Sequence, residues 1–173
     1  YYINNVASYK ILKNLSSSLS NDVFYNNLNS KNLYYNSPQR LSSLTAFTIL
    51  FDNSHLLINA NILHSYIQDY PSINSSPNIR NHFSPFISLG YTWDNYFTLS
   101  CFYKDVFRMP TFNDLYFNRV SESNLNPEKA KQFNIHASIS HYFGIYRTSN
   151  LTLSIDAYRN IIKDKLIAIP QRN

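Results

Sequence analysis

Gln132-Phe133-Asn134-Ile135-His136-Ala137-Ser138-Ile139-Ser140-His141-Tyr142-Phe143 alternates apolar and polar residues along its length. Phe133, Ile135, Ala137 and Ile139 fall on one side of an extended chain. Gln132, Asn134, His136, Ser138 and Ser140 fall on the other. A period of two is the signature of a β-strand with two unlike faces, because successive side chains point to opposite sides of the pleat. Leu151 to Asn160 repeats it: Leu151, Leu153, Ile155 and Ala157 oppose Thr152, Ser154, Asp156, Tyr158 and Asn160.

The same period extends toward the start of the chain. Tyr96 to Phe107, His82 to Thr92 and His55 to Gln68 alternate clearly. Leu41 to Phe51 and Leu15 to Asn26 alternate less regularly, and Tyr2 to Tyr9 adds the tail of one more strand. The connections alternate too. Short turns are expected at Lys13-Asn14, Asn53-Ser54, Asp94-Asn95 and Gly144 to Asn150, where Asn, Asp and Ser tolerate turn geometry in a chain with only 2 Gly. Longer polar stretches, Asn27 to Arg40, Asp69 to Asn81 and Phe107 to Lys129, separate the strand pairs.

Strands of about ten residues or more exceed the 5–6 typical of soluble sheets and meet the roughly 9–11 needed to cross a bilayer. Short turns alternating with long loops, and aromatics near strand ends (Phe51, Tyr66, Tyr70, Tyr91, Trp93, Tyr96, Phe107, Tyr142, Phe143), are the layout of an outer-membrane barrel. Lipid cannot satisfy backbone N–H and C=O groups, so strands crossing it must pair. The fold class expected is therefore all-β, an antiparallel transmembrane barrel segment of seven or eight strands. Phe133, Ile135, Ala137, Ile139, Leu151, Leu153 and Ile155 are expected to face lipid. A soluble β-rich binding or adhesion module, with a second layer over that face, and a small complete outer-membrane barrel are the alternatives.

Hydrophobic residues make up 44% of the chain but never run together for the roughly 18 residues of a membrane helix, which excludes a helical membrane protein. The formal charge of +5 comes from dispersed Lys and Arg with no basic run, so solvated loops and strand ends account for it and no nucleic-acid partner is expected. The lone Cys101 permits neither a disulfide framework nor a thiolate metal cluster. His136 and His141 are an odd number of residues apart and so face opposite ways, which disfavours a two-His metal site. No phosphate-binding Gly loop or nucleophile motif is present, and Asp105, Asp114, Glu122 and Glu128 are expected to be solvated or paired with Arg108 and Arg119. Catalysis, a metal and a cofactor are not expected.

One segment is more specific. Phe107-Arg108-Met109-Pro110-Thr111-Phe112-Asn113-Asp114-Leu115-Tyr116 resembles the FRxPTFNxLY signature of TonB-dependent outer-membrane receptor barrels. Asn124-Leu125-Asn126-Pro127-Glu128 resembles the element ending Leu-x-Pro-Glu that follows it in that family. Ile155 to Asp164 resembles the D-x-Y-x-N-x-I-x-D strand beyond. The likeness is close from Tyr96 to Ile169 and looser before. The residues themselves suggest a loop organiser. Pro110 ends ladder pairing, Thr111 and Asn113 offer local side-chain hydrogen bonds, and Arg108 can pair with Asp105, Asp114 or Glu128. Pro127 and Glu128 fix the return into the next strand, and direct ligand contact by Arg108 or Asn113 is the alternative.

The resemblance implies a 22-stranded barrel in the outer membrane of a Gram-negative bacterium, with a plug domain and final strands outside residues 1–173. The chain opens at Tyr1 rather than Met and closes on Gln-Arg-Asn, so a fragment is expected. It also implies import of a scarce nutrient bound at extracellular loops, with energy from TonB acting through the plug. The motif style is nearest the cobalamin- and siderophore-receptor branches of Bacteroidota, and leaves a ferric siderophore and cobalamin level as the nutrient.

Overall fold

The computed structural model describes residues 1–29, 37–71, 76–93, 96–116, 125–143 and 149–166. Asp94, Asn95, Arg119, Glu122, Asn124, Gly144 and Ile169, singled out above, lie outside them. Eight strands follow one another: β1 (Tyr2–Leu12), β2 (Leu15–Asn27), β3 (Gln39–Asp52), β4 (Leu56–Tyr70), β5 (Asn78–Trp93), β6 (Phe97–Arg108), β7 (Glu128–Phe143) and β8 (Ser149–Lys163). They form one sheet in sequence order, every neighbour antiparallel. Each strand read from the sequence is present, and most run a few residues further than the alternation alone indicated. The one helix among the described residues, α1 (Phe112–Tyr116), falls inside a stretch read as loop.

The alternation survives in the burial. Along β5, Phe83, Ile87, Leu89, Tyr91 and Trp93 are exposed, while Ser84, Phe86, Ser88, Gly90 and Thr92 between them are less so. Ser84 is only 6% exposed, while Trp93 is 61%. This inverts a soluble protein, in which large apolar groups are buried and small polar ones exposed. Large apolar side chains cover the open outer face, and small polar ones crowd the inner face. Among the described residues only Ile67 and Ala130 count as buried hydrophobics, whereas Arg40, Ser42, Ser65 and Ser84 are buried polar residues. No helix among them is long and apolar enough to cross a membrane, which has no bearing on strands.

The inner face holds its polar groups by cross-strand hydrogen bonds. Asn61 Nδ2 donates to Thr48 Oγ1 at 2.7 Å, and His136 Nδ1 meets Asp156 Oδ1 at 2.8 Å. His141, on the opposite face, packs edge-on against Phe143. Three hairpins are tight: Leu12 pairs with Leu15 across the β1–β2 turn, Asn53 N donates to Leu56 O at 2.9 Å after β3, and Tyr96 N donates to Trp93 O at 3.0 Å before β6. The β2–β3, β4–β5 and β6–β7 connections are longer and leave from the other end of the sheet. Among the described residues β1 and β8 do not pair with each other, so the eight strands form an open wall rather than a closed small barrel.

Candidate functional site at the long-loop end

Strand β6 leads into the signature loop through Arg108, and Pro110 is fully buried where the ladder stops. A pyrrolidine nitrogen has no proton to donate, so pairing cannot continue through it. The chain turns at Thr111 into α1. Thr111 Oγ1 accepts from Asp114 N at 3.2 Å, and Asp114 Oδ2 accepts from Thr111 N at 2.8 Å and from Thr111 Oγ1 at 2.9 Å. This is a reciprocal capping box with Asp in the third helical position, and Leu115 N closes the turn on Thr111 O at 3.1 Å. The backbone hydrogen bond from Thr111 holds the Asp114 carboxyl below the usual carboxylate range, with a smaller contribution from nearby Arg108.

Arg108 lies 3.8 Å from Asp114 and 4.0 Å from Glu128, bridging the two ends of the loop, with its side chain 52% exposed. Asp105, the third partner expected for it, instead meets His82 Nε2 at 3.1 Å, and His82 stacks on Phe107 at 4.5 Å. The reason lies in β5. The β5–β6 ladder stops at Phe86↔Lys104, next to Pro85, and His82 approaches β6 where the register ends. A polar cleft of about 450 Å³ opens there, lined by Arg80, His82, Phe107, Pro127, Lys129 and Asp164 among others.

The loop's strongest attachment is to a residue outside the signature. Arg40, on the inner face of β3, sits opposite Asp69 of β4. Its Nε and Nη2 donate to the two Asp69 carboxylate oxygens at 2.5 and 3.1 Å, and its Nη1 donates to Pro110 O at 2.7 Å. Its guanidinium also lies 5.2 Å from the centre of the Phe112 ring. The flat fork of arginine suits this work, since two prongs grip a carboxylate while a third reaches a carbonyl. The β6–β7 loop is thereby drawn inward over the wall formed by β3 and β4.

The remaining signature residues are placed as follows. Asn113 is exposed and makes no hydrogen bond among the described residues; Leu115 is half-buried, and Tyr116 ends α1. Leu125 is half-buried, Pro127 is buried, and Glu128 opens β7 while its Oε2 accepts from Leu166 N at 3.1 Å. Arg108, Pro110, Thr111, Asp114 and Glu128 are thus brought together, whereas Asn113 stands apart. Phe133, Ile135, Ala137, Ile139, Leu151, Leu153 and Ile155 share the outer face. No group of three or more His, Cys, Asp or Glu able to hold a metal occurs among the described residues.

An antiparallel wall that is apolar outside and polar inside, with its longer connections all leaving from one end, defines a segment of a membrane β-barrel. More narrowly, the chain belongs to the family described as TonB dependent receptor-like, beta-barrel, whose model matches residues 4–173. Members of that family are outer-membrane transporters rather than enzymes, and draw their energy through TonB. No curated protein matches the chain at a significant level.

Proposed function

We propose that residues 1–173 are part of the barrel wall of a Gram-negative outer-membrane receptor that imports a scarce nutrient, a ferric siderophore or cobalamin, when TonB acts on a plug domain elsewhere in the polypeptide. The observation that carries this reading is the inverted pattern of the sheet. Ile135 and Ile155 are 57% and 71% exposed on a face that no other layer covers among the described residues, while Ser65 and Ser84 are buried on the other. In water such a face would be a large apolar patch; in lipid it is the required surface. Among the described residues β1 and β8 each keep one edge unpaired, which supports completion by further strands, because open edges are costly in lipid.

The signature loop then lies at the extracellular mouth. Arg108, Pro110, Thr111, Asp114, Leu125, Pro127 and Glu128 shape it, and Arg40 anchors it over the lumen. A nutrient entering the barrel passes beside it, and the exposed Asn113 is the signature side chain left available to touch a ligand.

The test uses the complete receptor gene. A deletion strain is grown with either a ferric siderophore or cobalamin as the limiting nutrient, with and without TonB. Rescue by the receptor that requires TonB supports the reading and identifies the nutrient class. A receptor that is absent from the outer-membrane fraction would refute it.

A further inference from the structure

The strand register gathers cations that are dispersed in the sequence. Lys129 of β7 lies directly opposite Lys163 of β8, and Arg159 lies opposite Phe133. Lys131 lies between Lys129 and Phe133 on the same face. Lys129, Lys131, Arg159 and Lys163 are all exposed, and none has an ion pair among the described residues. Among the described residues, the carboxylates that neighbour them are turned elsewhere. Asp105, opposite Lys131, is engaged by His82, and Asp156 faces inward to His136. Asp164 borders the adjoining cleft with Lys129 but is not within ion-pair distance of it. Two lysines facing each other across a ladder repel and destabilise the sheet unless an anion lies between or above them.

Their height on the wall indicates which anion. Phe133 to Phe143 along β7 covers about 33 Å of strand, or about 25 Å of height at a barrel tilt of about 40°, which is the thickness of an outer-membrane apolar band. Lys131 and Lys129 stand roughly 5 and 10 Å higher, in the zone of the headgroups. Below them the same outer face carries a shallow apolar groove of about 300 Å³, lined by Phe97, Ile139, Leu153 and Ile155 among others.

We propose that Lys129, Lys131, Arg159 and Lys163 form a binding site on the outside of the barrel for the phosphate groups of an outer-leaflet lipid, whose acyl chains lie along the apolar band beneath. A free phosphate would meet only exposed, hydrated cations. A lipid headgroup meets the cations and the apolar face together. The inference rests on the outer-membrane reading above, with the long loops outside the cell.

The experiment uses the full-length receptor, purified in a neutral detergent. It is titrated with lipid A, a diphosphorylated acylated disaccharide, then with phosphatidylcholine, and separately with inorganic phosphate. The wild-type receptor should hold lipid A at least about tenfold more tightly than phosphatidylcholine, and K129S/K131S/R159S/K163S should lose that preference. Should the fourfold variant fail to keep its heat-modifiable barrel mobility, K129S/K163S alone should weaken lipid A binding about tenfold or more, at roughly fivefold for each cation removed. A folded variant that binds lipid A as the wild type does would overturn the proposal. Inorganic phosphate binding as tightly as lipid A would overturn it in favour of a free-anion site. Neither result touches the receptor reading, which fails only if the wild-type protein is absent from the outer-membrane fraction.

Discussion

Arg40 and Pro110 are 70 residues apart in the chain and joined by a 2.7 Å hydrogen bond from guanidinium to carbonyl. That bond ties the signature loop to the inner wall of a strand three places away in the sheet. Arg40 is buried, so the bond is shielded from water, and the same guanidinium saturates Asp69. Replacing Arg40 by Ala leaves the Asp69 carboxylate half-desolvated with no cation, and a loss of about 3 kcal/mol in stability is expected. Adding Asp69→Asn to Arg40→Ala should recover part of it, because the neutral amide has less need of a partner. Denaturant unfolding of the receptor in detergent reads both variants. Additive losses would show that the pair is not coupled.

Arg108, although it stands in the signature, should matter less to stability. Its two carboxylate partners lie at 3.8 and 4.0 Å and its side chain is mostly in water. Exposed pairs of this kind contribute about 0.2–1 kcal/mol. Arg108→Ala is therefore expected to cost less than about 1 kcal/mol and to leave the β6–β7 loop as resistant to protease as in the wild type, whereas Arg40→Ala makes it susceptible. Equal protease sensitivity of the two variants would reverse this ranking of the anchors.

This contrast marks how far the sequence could be read. The period of two located every strand, because each residue's face is decided by its immediate neighbours. It also separated His136 from His141. Arg40 carries no such local signal, because its partners, Asp69, Pro110 and Phe112, are brought to it by the register of β3 and β4 and the fold-back of the loop. Asp105 was grouped with Arg108 for a similar reason: Pro85 ends the β5–β6 ladder and brings His82 within reach. The helix α1 does have a local signal. Thr111-Phe112-Asn113-Asp114 has the spacing of a capping box, with Asp where Glu is usual.

The cap makes the loop sensitive to acid. Asp114 is ionised in the folded loop below its ordinary pKa, chiefly through the Thr111 backbone hydrogen bond. A carboxyl depressed on folding adds stability that is fully present above its unfolded value of about 3.9 and disappears as pH falls through the folded value. Amide exchange of α1, measured from pH 6 downward and corrected for intrinsic rates, should therefore accelerate only below the ordinary carboxylate range. Thr111→Ala removes the reciprocal partner at a cost of about 1 kcal/mol. In that variant α1 should exchange faster at pH 6 but keep most of its acid dependence, because the backbone N–H of residue 111 still reaches the Asp114 carboxylate; Asp114→Asn should remove that dependence. An acid dependence unchanged in Asp114→Asn would assign the effect to another group.

The assignment of faces predicts a large difference between adjacent positions. Ile135 and Asn134 neighbour each other on β7, opposite Ala157 and Tyr158 of β8, and the pleat sends their side chains to opposite sides. Ile135 is 57% exposed on the outer face, about 5 Å below the upper edge of the apolar band at Phe133. An arginine there must hold its charge in hydrocarbon or bend toward the headgroups, and Ile135→Arg is expected to cost about 1–3 kcal/mol, between the interfacial and midplane values. Asn134 lies on the inner face among Gln132, His136 and Asp156, where water and polar partners solvate a guanidinium. Asn134→Arg should cost well under half as much. Reversible folding of the two variants into thin-bilayer vesicles measures the difference directly, and a second pair, Leu153→Arg against Thr152→Arg on β8, should repeat it. If Ile135→Arg and Asn134→Arg cost the same, the outer face is not in lipid, and a soluble β-layer would have to cover it instead.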